Sequence, residues 1–325
     1  MYPHTSIDLL PTAGPGLIKA EPAQLLPASV TSTFYINRDR DEARRVFIEW
    51  YLREAGIDAE RIPAVEGLAV PRSQVHFFYD DDTQSSRLSP GEVGCYASHL
   101  MAASIVVDRG LEHALILEDD AEFSPEFAQS LENILASLPA GWDLVHLSGD
   151  PTHAIKPMAR LEQSGTLVRY SRVPSGTVAY LISQTGAKKF LNPSKRYWPV
   201  DTDMRQPWRF GFKVYGVVPA VVHHSGRFSS TIAKGAKGER SRLRRGLPKP
   251  SRHCWTGNPL HTPQGFYFNL RTLGPLWWAR CWLRNAHRRA ERMLVRQARV
   301  RKTFCEPASA KPALHRASLG IPPQL

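Results

Sequence analysis

Paired cysteines are missing from this chain. Its four, Cys95, Cys254, Cys281 and Cys305, are scattered over 325 residues with no short repeat spacing. That excludes a zinc-ribbon pattern or a disulfide framework and suits a reducing compartment. Long apolar runs are missing too, since none reaches the ~18 to 20 residues that a helix needs to cross a bilayer. The first thirty residues hold prolines but no basic stretch followed by an apolar core. No secretory signal is therefore expected, and the cytoplasm is the expected location. Acids are scarce toward the C-terminus. From Arg227 to the C-terminus there are 21 Lys and Arg against 3 Asp and Glu, whereas residues 1–226 carry 21 basic and 27 acidic side chains. The overall +12 is thus a mildly acidic body with a strongly basic tail. Such asymmetry suggests an anionic partner, nucleic acid or membrane.

What is present is ordinary for a globular protein: 42% hydrophobic and 22% charged residues, long enough for one large domain or two small ones. Residues 1–32, rich in Pro, Ala and Gly, are expected to be a loose leader. Thr33–Asn37 predicts a first strand, Asp41–Ala55 a helix stopped by Gly56, Arg61–Gly67 a short turn-bounded strand, and Phe77–Arg87 a loop. Ser89-Pro90-Gly91-Glu92 is a helix start, with a capping serine, a proline where its missing N–H costs nothing, and a glutamate that closes a capping box. That helix is expected to run to Arg109 and stop at Gly110. Ser124-Pro125-Glu126 starts another helix by the same chemistry. Strands are expected at Ala114–Leu117, Trp142–Leu147, Thr166–Tyr170, Thr177–Ile182, Val214–Val218 and Ala220–His223, with short helices at Thr185–Leu191 and through Trp208. Strands alternating with helices imply an α/β/α sandwich with a mostly parallel sheet over residues 33–226. Ligands of such sheets bind beyond the carboxyl ends of the strands.

Leu115-Ile116-Leu117-Glu118-Asp119-Asp120 stands out within that frame. Three aliphatic residues form a buried strand and three acids follow without a spacer. Alternation along an extended chain would put Glu118 and Asp120 on one face and Asp119 on the other. Carboxylates there could hold a hard divalent cation, Mn2+ or Mg2+, whose shell substrate phosphates complete. The plain alternative is a strand ending in solvated acids.

Several blocks coincide in order: Tyr35-Ile36-Asn37-Arg38 with Arg44, Arg61–Gly67, Leu88–Cys95 with Ser98-His99, Leu115–Asp120, Gly176–Ser183, Gly186-Ala187 and Pro199-Val200-Asp201. Together they resemble glycosyltransferase family 25, which includes bacterial lipopolysaccharide and lipooligosaccharide β-galactosyltransferases and animal collagen galactosyltransferases. The resemblance covers Thr33–His224. It implies a GT-A-like fold, a UDP-sugar donor, most often UDP-galactose, a glycan or glycolipid acceptor, inversion at the sugar carbon and usually manganese. It makes the acidic triplet the metal and diphosphate element, with Asp120 first, Glu118 second and Asp119 less certain. Inversion needs a base for the acceptor hydroxyl, worth roughly 100- to 10,000-fold in rate. Asp201 and Asp203 are the candidates, with helix capping as the alternative for both. His223 or His224 could ligate the metal or touch the diphosphate, or be plain strand-end residues. Asn37 and Arg38 end the first strand, where a nucleotide would bind. His99 reads as a buried structural histidine, and only the family match adds a substrate role.

Beyond Arg227 the segment 229–250 reads as basic and Gly-rich. Leu276–Lys302 reads as an amphipathic helix: Leu276, Ala279, Leu283, Ala286, Ala290 and Leu294 make a stripe, Trp277, Trp278 and Trp282 lie near its start, and arginines take the remaining surface. Two uses are open for it, lying in a membrane interface or packing on the body with a solvated basic face. The expected function is hexosyl transfer in cell-surface glycan synthesis, by an enzyme held at the anionic inner face of the cytoplasmic membrane. The rivals are a family member with another donor or none, and a nucleic-acid-binding protein acting through its tail.

Overall fold

The structure, a computed structural model, describes residues 31–80, 85–162, 165–228 and 263–305. Of the leader expected over residues 1–32, residues 1–30 lie outside the described residues, as does the Gly-rich segment 229–250, while Ser32 already belongs to the first strand. Alternation along the strands creates the layers. In β1 (Ser32–Asn37), β3 (His113–Glu118) and β8 (Ala179–Ser183), the side chains of Phe34, Ile36, Ala114, Ile116, Tyr180 and Ile182 enter one core, while Tyr35, Leu115, Leu117, Ala179 and Leu181 enter a second. Both faces of the sheet are therefore buried, and each needs a helical layer. The first face takes α3 (Pro90–Asp108), through Val93, Tyr96, Leu100 and Val106, with the shorter α2 (Val75–Phe78), α5 (Gln184–Phe190) and α6 (Val200–Met204). The second takes α1 (Glu42–Glu54), through Ile48 and Leu52, and α4 (Phe127–Ala136), through Phe127, Leu131 and Ile134.

The remaining strands are β2 (Glu60–Pro63), β4 (Ala121–Phe123), β5 (Leu144–His146), β6 (Ile155–Leu161), β7 (Gly165–Tyr170), β9 (Val214–Val218) and β10 (Val222–His224). The main sheet has the order β2-β1-β3-β8-β5-β9-β7-β6, and β4 and β10 pair as a small ribbon beside it. Following the pairings across the sheet, β8 and β7 run against the other six strands. The sheet is thus mostly parallel by direction, as expected. The carboxyl ends of β1, β2 and β3 come together, and the start of β8 lies among them.

The capped helix forms as its residues dictate: the Ser89 N–H donates to the Glu92 carboxylate at 2.9 Å, Pro90 occupies the first position, and Gly110 ends the helix at a φ of 64°. Two expectations need correction. The polar connection after Gly149 contains β6, whose Ile-Lys-Pro-Met-Ala-Arg-Leu pattern is that of a sheet edge, where proline and a bulge are tolerated. Phe77 and Phe78 are helical and buried rather than part of a loop. The helix expected over Leu276–Lys302 lies within α8 (Pro275–Cys305), which follows α7 (Pro263–Leu273), and of the two uses left open for α8 the body meets a different side of it from the expected stripe. Cys281, Trp277 and Trp278 pack with Ala154 and Leu273, and Asn285 accepts from the Ala154 N–H at 2.7 Å.

The helix that bears the site touches a neighbouring segment through glycine. A Cβ added to Gly94 would lie 2.4 Å from the Val65 carbonyl oxygen, and one on Gly67 would lie 1.6 Å from that of Pro90. Gly94→Ala must therefore push the Val65–Gly67 backbone away from α3. The expected loss is about 1–3 kcal/mol, read as a lower urea midpoint, and an unchanged midpoint would contradict this contact.

Candidate active site

Glu118 is the last residue of β3, and the chain turns immediately after it. That turn defeats the alternation expected of the three acids. Arg44, in the first turn of α1, bridges Asp119 and Asp120 instead: its Nε donates to Asp119 Oδ1 at 2.7 Å and its Nη2 to Asp120 Oδ2 at 2.6 Å. Glu118 turns elsewhere. It accepts from the Thr177 hydroxyl and stands 3.5 Å from His99 Nε2. Asp119 and Asp120 are 7% and 4% exposed, so solvated strand-end acids are not what the fold contains. Burial and then the Glu118 charge push the Asp120 carboxyl up, against the pull of Arg44 and His224. Burial also acts on Glu118, yet His99 and Thr177 outweigh it and hold that carboxyl below the usual range.

Asn37 extends this network. Its Nδ2 donates to Asp119 Oδ2 at 2.8 Å, and its Oδ1 accepts from Arg61 at 3.1 Å. Asn37 is buried, so it serves to position Asp119. Arg38 pairs with Asp41 and faces a cavity of about 370 Å³. That cavity lies beyond the ends of β1 and β3, lined by residues 64–68, the start of α3, Glu118 and Asp119. His99 also lines it. The ring is buried with Nδ1 2.9 Å from the Tyr180 hydroxyl, so its place is to link Tyr180 to Glu118.

Asp201 and Asp203 part company. Neither caps α6, whose N-cap is Pro199. Asp203 is fully buried, accepts from the Tyr96 hydroxyl at 3.0 Å and pairs with Arg209, so both of its oxygens are engaged away from the cavity. Its expected role as a base does not fit that position; it is a packing and positioning group. Burial pushes its carboxyl up to about 6, against Arg209, Tyr96 and Arg196. Asp201 is half-buried, and burial, then the Glu118 and Asp201 charges, push up the thiol of the half-buried Cys95.

The two strand-end histidines also separate. His224 Nε2 lies 3.1 Å from Asp120 Oδ2. His223 pairs across the ribbon with Glu122 and lines another cleft with it. Alternation along β10 explains the split, and only His224 joins the acids. Among the described residues, no group of three His, Cys, Asp or Glu side chains could by itself hold a metal. Asp120 Oδ1, however, is buried with no hydrogen-bond partner. A free carboxylate oxygen beside an imidazole fits a divalent cation that keeps open positions for phosphate and water. Arg44 and Thr177 carry the geometry without having been assigned a role from sequence. A cation in the first turn of a helix opposes the helix dipole, and that signal could have singled out Arg44.

A family profile described as Glycosyltransferase family 25 (LPS biosynthesis protein) matches residues 30–204, more than half of the chain. The chain belongs to glycosyltransferase family 25. Procollagen galactosyltransferase 1 of Danio rerio is 31% identical over 192 residues, covering 55% of this chain and 32% of that protein. Inactive glycosyltransferase 25 family member 3 of Mus musculus is 29% identical over 208 residues, covering 60% of this chain and 35% of that protein. The chain spans roughly a third of the length of these curated relatives. A solved glycosyltransferase involved in glycosylation of the major capsid of PBCV-1 aligns with 65% of this chain and 98% of its own at 10% identity and a TM-score of 0.34. The family segment contains Asn37, Arg44, the acids and Asp201, while His224 and the C-terminal helices lie past its end.

Asp203 gives a pH test. Its folded carboxyl holds a proton more tightly than the unfolded one. Its contribution is therefore most favourable below about pH 4 and declines as pH rises to about 6, by on the order of 3 kcal/mol. Urea midpoints of wild type and Asp203→Asn should diverge across that window, with the wild type losing ground. Parallel profiles would contradict the assignment.

Proposed function

We propose that the protein is an inverting hexosyltransferase that moves galactose from UDP-galactose to a glycan acceptor on a lipid-linked or lipopolysaccharide precursor. It would work in the cytoplasm, at the inner face of the membrane. The observation that carries this reading is the acidic turn: buried carboxylates bridged by Arg44, one oxygen left unpartnered, beside a cavity in the family 25 segment. Membership alone does not decide activity, because relatives of similar identity include proteins named inactive.

The nucleotide would occupy the cavity along residues 64–67, with Arg38 and Arg40 supplying positive charge toward the diphosphate. Asp120 and His224 would hold Mn2+ or Mg2+, which as a Lewis acid neutralises charge on a leaving diphosphate. Glu118, kept ionised by His99 and Thr177, adds negative charge on the same side and lines the donor cavity. Asp201 would take the proton from the acceptor hydroxyl. That oxygen then bonds to the sugar carbon as the bond to the diphosphate oxygen breaks, and UDP leaves with the electron pair.

A second reading keeps the fold with another donor or no activity, and the inactive relatives favour considering it. A screen of nucleotide sugars with purified protein, following release of the nucleoside diphosphate, separates the two. UDP-galactose turnover dependent on Mn2+ is expected. Asp120→Asn should abolish the metal dependence, and Asp201→Asn should slow turnover roughly 100- to 10,000-fold without weakening UDP binding. No release from any donor would sink the enzymatic reading, and unchanged turnover in Asp201→Asn would sink the base assignment.

A further inference from the structure

We infer that α8 docks the protein on an anionic bilayer surface through the face it turns away from the body. The inference deepens the reading of a membrane-borne acceptor and rests on it for its purpose, although its geometry stands apart from the transfer chemistry. The body takes one side of the helix, with Cys281 buried, Trp277 and Trp278 half-buried, and Asn285 bonded to Ala154 and Ser171. The opposite side is apolar and open. Leu276 is 80% exposed, Trp282 50%, Leu283 60% and Met293 58%, with Ala279 and Ala286 exposed between them. At helical spacing these residues form one continuous stripe.

A helix resting on a globule normally buries its apolar stripe and leaves its charges in water. Here the stripe faces outward, and basic residues border it, Arg280 on one edge and Arg289 on the other, both exposed, while His287 beside Arg280 stands 3.5 Å from Glu291. Glu291 is the lone acid on the helix. An anionic lipid surface satisfies both features, taking the stripe into the acyl boundary and the guanidiniums at the headgroups. Trp282, at the stripe's edge, has the amphipathic ring favoured at that depth. A second copy of the helix would bring like-charged rims together, which opposes self-association. No helix among the described residues is long and apolar enough to cross a membrane, so α8 would lie on the surface.

The test uses the full chain and vesicles of phosphatidylcholine, alone or mixed with phosphatidylglycerol. Co-sedimentation with the mixed vesicles only is expected. Leu276→Gln, Trp282→Gln and Leu283→Gln combined should weaken it at least about tenfold while leaving thermal unfolding unchanged. Failure of the wild type to bind mixed vesicles would overturn the inference, as would unchanged binding by the triple variant. So would a dimer, found without lipid, that the triple variant dissociates, or an RNA complex lost in that variant while vesicle binding persists. UDP release from UDP-galactose in solution, measured on the same samples, should be equal in both proteins. Its absence in both, with vesicle binding intact, would remove the transferase reading alone.

Discussion

The Arg44 bridge to Asp119 and Asp120 is the interaction on which the site depends. Two adjacent carboxylates, nearly buried, repel one another and lose hydration, and a pair of that kind persists only with a cation beside it. Arg44 supplies the charge from α1, which crosses the second face of the sheet, while the acids come from the end of β3. The bridge therefore ties α1 to the end of β3. Asn37 of β1, itself held by Arg61 of β2, braces Asp119, and His224 meets Asp120 from the ribbon strand β10. Five elements converge on one turn. The Ser225 N–H reaches the Asp120 carbonyl oxygen, and the Phe228 ring lies 5.2 Å from the Arg44 guanidinium, so the chain after β10 closes over the same turn.

The partition of acids follows from where the strand stops. Glu118 still obeys the sheet and points to Thr177 and His99, which stand at the start of β8 and on α3. Asp119 and Asp120 have left it and answer to Arg44. A triplet of like residues thereby acquires two environments: one carboxyl held ionised by hydrogen bonds from protein donors, the other raised by burial and by its neighbour. Groups so separated suit different tasks, and that separation is what gives a run of identical chemistry its use.

Much of this was legible in the residues. The Ser89-Pro90-Gly91-Glu92 start, the aliphatic run before the acids and the alternating strands carry local physics strong enough to fix their own conformation. What could not be read depends on partners distant in sequence. Nothing near Asp203 announces that Tyr96 and Arg209 will enclose it, so it looked equivalent to Asp201. His223 and His224 differ only by strand phase, which the ribbon pairing sets. The α8 stripe was visible as a period, but its direction depends on Trp277, Cys281 and Asn285 finding Ala154 on the loop before β6, itself a strand disguised by polar residues and proline.

In the proposed reaction the acidic turn would bind a divalent cation together with a diphosphate, through the Asp120 oxygen that has no hydrogen-bond partner. Calorimetric titration of UDP into the wild type and Asp120→Asn, each with and without Mn2+, tests it most directly. Mn2+ should tighten UDP binding at least about tenfold in the wild type and leave it unchanged in the variant. An equal gain in both proteins, or no gain in the wild type, would contradict it.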